Sequence, residues 1–154
     1  MIEPLVVTLT DIEQRLARYV AKQRSQQGRD AFANGIDDRT CEERLVVGYG
    51  AELAFCKMHN LYPDLTIPGG VADCERFGES IDVKTTSHAD GRLMVAGWKA
   101  SRDKPAYYVL LIEEWPRYRV AGFASAADVF RAERLQDIRI PTYCVAQDEL
   151  KDQQ

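Results

Sequence analysis

The chain has 154 residues, with 20 Lys and Arg against 24 Asp and Glu and a formal net charge of -4. One domain with a real core fits that length, and 45% hydrophobic with 29% charged residues excludes wholesale disorder. No apolar run reaches the length of a membrane span and residues 1–10 lack the basic start of a signal peptide, which predicts a soluble, cytoplasmic protein. The acidic balance excludes a protein that coats nucleic acid by bulk positive charge. It leaves room for a local basic patch or a metal held by carboxylates.

Residues 4–9 are apolar and read as a short strand or extended arm. Thr10 and Glu13 stand at capping-box spacing, and Ile12, Leu16, Tyr19 and Val20 then recur at helical spacing. A helix is predicted over about 11–27, stopped at Gly28, with a polar loop over 28–39. Thr40 and Glu43 repeat the capping box and open a second helix over about 41–60. That helix contains Gly48, Gly50, Ala51 and Ala54. Each internal glycine costs up to ~1 kcal/mol relative to alanine, a cost that close packing against a sheet would offset.

Past Pro68-Gly69-Gly70 the pattern changes to strands. Residues 71–75 and 80–86 flank a hairpin turn, Arg76-Phe77-Gly78-Glu79. Further strands are predicted at 93–96, 106–112 and 118–123, with a turn or loop over 98–104. Ser125 reads as the N-cap of a short helix to about Leu135, followed by a strand at 138–145 and a terminal turn at 147–151. These elements predict a mixed α/β protein, one central β-sheet flanked by helices, in a single domain. Residues 1–40 form a helical extension and 41–146 the core. Cys41, Cys56, Cys74 and Cys144 form no C-x-x-C pair and match no zinc spacing, so they read as free thiols.

Chemistry concentrates in the hairpin. On a strand, Ile81, Val83 and Thr85 share one face and Asp82, Lys84 and Thr86 the other. A loop of even length centred between Phe77 and Gly78 sets Arg76 opposite Glu79. It also sets Asp73 opposite Asp82, with Cβ atoms ~5 Å apart, whereas an odd-length loop would shift the register by one and turn Asp73 to the opposite face. Facing carboxylates repel unless something positive sits between them, and a divalent cation with oxygen ligands is the obvious candidate. The plain alternative is the solvated face of an amphipathic hairpin.

The segment resembles the core signature of the PD-(D/E)XK nuclease superfamily, with its restriction-endonuclease-like fold. Asp73 matches the acid on one strand, Asp82-Val83-Lys84 the acid-x-Lys on the next, and Glu52, in Gly48-Tyr49-Gly50-Ala51-Glu52-Leu53-Ala54-Phe55, the glutamate of the preceding helix. The order of elements is similar to that of small phage or mobile-element members, over about residues 41–125. Ala72 stands where the proline of the name would be, and Asp82 is the aspartate variant of the middle acid.

The resemblance implies metal-assisted hydrolysis of DNA phosphodiesters. Asp73, Asp82 and the Val83 carbonyl would hold Mg²⁺ or Mn²⁺, and Glu52 a second metal or a metal-bound water. Lys84 would orient or activate the nucleophile. From Lys84 to Lys104 the chain carries five basic residues against Asp90 and Asp103, with Trp98 among them. Thr86, Arg92, Lys99, Arg102 and Lys104 are therefore candidate DNA contacts; a solvated basic loop is the alternative. Arg15, Arg18, Lys22 and Arg24 form a second, weaker basic stripe. A homodimer is the arrangement that would serve a double-strand cutter. A catalytically silent relative that binds DNA or a protein partner, and an unrelated α/β interaction protein, are the competing readings.

Overall fold

Two reciprocal caps fix where the long helices begin. The Thr10 N–H donates to Glu13 Oε2 at 2.8 Å and the Glu13 N–H to Thr10 Oγ1 at 3.3 Å, starting α1 (Asp11–Gln26). Thr40 and Glu43 make the same pair of bonds ahead of α2 (Cys41–Met58). The computed structural model describes residues 3–26, 40–67, 69 and 72–152. The predicted stop at Gly28, the loop over 28–39 and the start of the strand at Val71 lie outside the described residues.

The strands are β1 (Val6–Thr8), β2 (Cys74–Arg76), β3 (Glu79–Thr86), β4 (Leu93–Ala96), β5 (Tyr107–Glu114), β6 (Arg117–Ser125), β7 (Leu135–Ile138) and β8 (Ile140–Val145). A five-stranded sheet runs β1-β6-β5-β3-β2, antiparallel except for the parallel pair β3–β5. With α2 against it and α1 packed on α2, this is the expected mixed sheet flanked by helices. The expectation of a single sheet fails, because β4, β8 and β7 form a second, three-stranded sheet. The two faces of the main sheet therefore have different covers. Ile81, Val83, Val109 and Leu111 pack with Ala51, Leu53 and Phe55 of α2. Tyr108, Leu110 and Ile112 pack with Leu93 and Val95 of β4 and Val145 of β8.

The predicted helix from Ser125 to about Leu135 is also corrected. Ser125 does cap α3 (Ala126–Val129), but helix ends there. Phe130 is drawn edge-on between Tyr108 and Tyr143, with ring centroids 6.0 and 5.0 Å away, and that packing overrides the local helical preference. The chain then passes through a 3-10 turn into β7.

Small residues in α2 matter unequally. A Cβ on Gly50 would lie 2.5 Å from Tyr118 Oη and 2.7 Å from Trp115 Cζ3, whereas a Cβ on Gly48 would meet nothing within 4 Å. The close approach lets the buried Tyr118 hydroxyl donate to the Val47 carbonyl at 2.7 Å, tying α2 to β6. Gly50→Ala should therefore destabilise by about 1–3 kcal/mol through overpacking. Gly48→Ala should stabilise by up to ~1 kcal/mol through helix propensity alone. Paired thermal melts check the contrast.

Candidate active site

The hairpin turn sets the geometry. Phe77 (φ 53°) and Gly78 (φ 78°) both take left-handed conformations, the two-residue turn whose twist suits a hairpin. Arg76 then pairs with Glu79, Glu75 with Ser80 and Cys74 with Ile81, the predicted register. The ladder stops at Cys74, so from Asp82 onward β3 has no strand on that side among the described residues. Asp73 takes over where the strand ends. Its N–H donates to the Ile81 carbonyl at 3.0 Å, and its carboxylate accepts the Val83 N–H at 2.6 Å.

Because the edge is open there, groups from both faces of the sheet reach one cavity of about 390 Å³. Glu52, Asp73, Asp82, Val83, Lys84, Lys99 and Arg102 all line it. Asp82 and Lys84 project on the face of Tyr108 and Leu110, their respective neighbours on the parallel strand, and Lys84 Nζ lies 6.0 Å from the Tyr108 ring centre. Glu52 comes from α2 on the other face and stands within hydrogen-bonding reach of Asp73. Lys84 Nζ is 2.6 Å from Asp82 Oδ1, and Lys99 Nζ is 3.8 Å from Asp82 Oδ2. Lys99 is delivered by the 3-10 turn Gly97–Ser101, which follows β4.

The other candidate DNA contacts do not line this cavity. Thr86 Oγ1 accepts the His88 N–H at 3.2 Å, and the Thr86 side chain packs over Gly91. Arg92 donates to Gln136 Oε1 at 3.1 Å, on the second sheet. Lys104 lies over the Phe130 ring at 5.3 Å.

Arg24, read from sequence as part of a surface stripe, is 3% exposed. It sits 3.5 Å from Glu52 Oε2 and 3.7 Å from Asp64 Oδ2. It also donates to the Asp64 and Thr66 carbonyls at 3.1 and 3.3 Å, and stacks 4.8 Å from the Tyr49 ring centre. This buried clamp joins α1, α2 and the following loop, and orients Glu52. The sequence did carry a signal for it. Ala17, Val20, Ala21 and Arg24 share one helical stripe, and a charge on an apolar stripe needs a buried partner.

Electrostatics divide the site. Burial and the Asp82 charge push the Asp73 carboxyl up to about 6, against the opposing pull of Lys84 and the Val83 N–H. Burial opposes the charge on Lys84, but the Asp82 and Asp73 carboxylates win and hold its ammonium above the usual lysine range. Lys99 is shifted down by burial and by the neighbouring Lys84 charge. Among the described residues no three His, Cys, Asp or Glu side chains converge as a ready-made metal cage.

No family model, no curated protein and no solved structure matches the chain.

Two outcomes follow from the charges. Asp73 holds its proton in the folded state up to about pH 6, whereas the unfolded chain releases it in the ordinary carboxylate range. Stability in metal-free protein therefore falls as pH rises through that window. Asp73→Asn should raise metal-free stability by about 1–2 kcal/mol at about pH 8 and bring no gain at about pH 4, read from melts in chelator. Arg24→Ala should cost about 3 kcal/mol by leaving two enclosed carboxylates without their cation. Arg24→Lys should recover only part of that, because an ammonium cannot reproduce the forked contacts; denaturant midpoints measure both.

Proposed function

We propose that the protein is a metal-dependent nuclease that hydrolyses DNA phosphodiester bonds. The observation that carries this reading is the meeting of Glu52, Asp73, Asp82 and Lys84 in one cavity at the open edge of β3. No helix among the described residues is long and apolar enough to cross a membrane.

The donor set suits Mg²⁺ or Mn²⁺, hard cations that keep several waters and need only one or two carboxylates. Asp73 and Asp82 would hold the ion. The Val83 carbonyl leaves the strand on the same side as the N–H that Asp73 accepts, so it would offer a third oxygen to the same ion. Glu52 would take a second ion or a coordinated water. The raised proton affinity of Asp73 supports this, since it marks a carboxylate pair short of positive charge. When bound, the ion would lower the pKa of its water and offset charge on the phosphate.

Lys84 stays charged, so it acts as a donor. It orients the attacking water or the phosphate oxygen and offsets charge developing in the transition state. Lys99 and Arg102 line the cavity beside it and would meet the flanking phosphates. Tyr108, 1% exposed, closes the wall beneath Asp82 and Lys84 and keeps bulk water from that side.

One observation favours a second reading, a silent protein of this fold that binds DNA or a protein partner. Asp82 already has two ammonium groups within 4 Å, which partly compensates its charge without metal. The readings separate in a cleavage panel over linear, circular, single-stranded and junction DNA with Mg²⁺ or Mn²⁺. The nuclease reading expects metal-dependent cleavage, reduced at least about a hundredfold in Asp82→Ala and in Lys84→Ala with unchanged circular dichroism. Unimpaired cleavage in both variants overturns this site, and DNA binding with no cleavage under any divalent metal supports the silent reading.

A further inference from the structure

Two aromatic side chains line the cavity with the carboxylates, the buried Tyr108 and the exposed Trp98. Trp98 lies in the 3-10 turn after β4, lines the cavity and is 47% exposed. Two cations lie over its ring and still leave this much of the residue in water, apolar surface that a ligand would cover.

Its surroundings say what would. The Lys99 ammonium is 5.6 Å and the Arg102 guanidinium 5.5 Å from the ring centre. Lys99 also reaches Asp82 Oδ2 at 3.8 Å, so one side chain spans the aromatic rim and the acidic floor. An aromatic face set among cations, one step from the candidate hydrolytic groups, is the arrangement that takes a nucleobase and its phosphate together.

We propose that Trp98, with Arg102, is a stacking platform for an unpaired base, and that the site takes single-stranded DNA in preference to continuous duplex. This rests on the nuclease reading above and names its substrate class. In a duplex each base is stacked by its neighbours on both faces, so an indole face receives only a base released from pairing. Lys99 and Arg102 then lie beside the phosphate of the stacked nucleotide. Every base has a π-face, so the contact holds strands without regard to sequence.

The test uses the full chain and a labelled mixed-sequence oligonucleotide of ~16 nucleotides, alone and annealed to its complement. Binding is measured by fluorescence anisotropy in Ca²⁺, which accepts looser oxygen geometry than Mg²⁺, with the probes checked for intactness on a gel. Cleavage of the same two probes is measured separately in Mg²⁺. The single strand should bind more tightly than the duplex. Trp98→Ala should weaken single-strand binding roughly 5- to 100-fold and leave the duplex and the melting temperature nearly unchanged. Trp98→Phe should retain most of the affinity. Equal loss on both probes, no loss on either, a preference for duplex, or no binding to either probe overturns the stacking platform. Mg²⁺-dependent cleavage of both probes, indifferent to Trp98, sinks the platform and leaves the nuclease reading standing. Trp98-dependent single-strand binding with no cleavage of either probe supports the platform and removes the hydrolytic reading.

Discussion

The hydrogen bond from the Val83 N–H to the Asp73 carboxylate, at 2.6 Å, is the contact on which the candidate site depends. β2 has only three residues, and beyond it β3 would present bare backbone at its edge. Two more paired residues, which in this register would set Ala72 opposite Val83, would have sealed that edge and kept the two faces of the sheet apart. A carboxylate seals it instead. The side chain that satisfies the strand's backbone is thus the one placed beside Asp82, and α2 can bring Glu52 around the same opening. A structural requirement and a chemical one are met by one residue.

Charge in the site follows from that crowding. Glu52, Asp73 and Asp82 bring three carboxylates, and Arg24, Lys84 and Lys99 bring three cations, each within 4 Å of Glu52 or Asp82. Asp73 has the weakest share of this compensation, and its proton affinity rises accordingly. The net charge of -4 therefore says little about the local field. Some of the acidic excess is gathered where a cation would offset it, and cations stand around it.

What could be read in advance depended on whether a local rule decided the outcome. The register of the hairpin was legible only as one of two: an even loop gives the favourable Arg76–Glu79 pair that the structure has, and an odd loop would have turned Asp73 to the other face. Both long helices were legible at their starts, since a capping box states its own geometry. The second sheet was not legible. β7 is short and mostly exposed, and its turn into β8 is made at Arg139 (φ 59°) where no glycine or asparagine marks it. Its neighbour α3 ends early because Phe130 is claimed by Tyr108 and Tyr143, residues distant in sequence. Arg24 was misplaced for a similar reason. Its charge suggested solvent, and only its stripe with Ala17, Val20 and Ala21 pointed inward.

The central claim is that the open edge of β3 holds a divalent cation between Asp73 and Asp82. Paramagnetic broadening of backbone amide signals by Mn²⁺ tests it most directly, because the Val83 N–H lies at the centre of the site. The account predicts that substoichiometric Mn²⁺ broadens the amides of Asp73, Asp82, Val83 and Lys84 first, and that excess Mg²⁺ or the Asp82→Asn substitution restores them. Broadening that begins elsewhere, or that Asp82→Asn leaves unchanged, would contradict it.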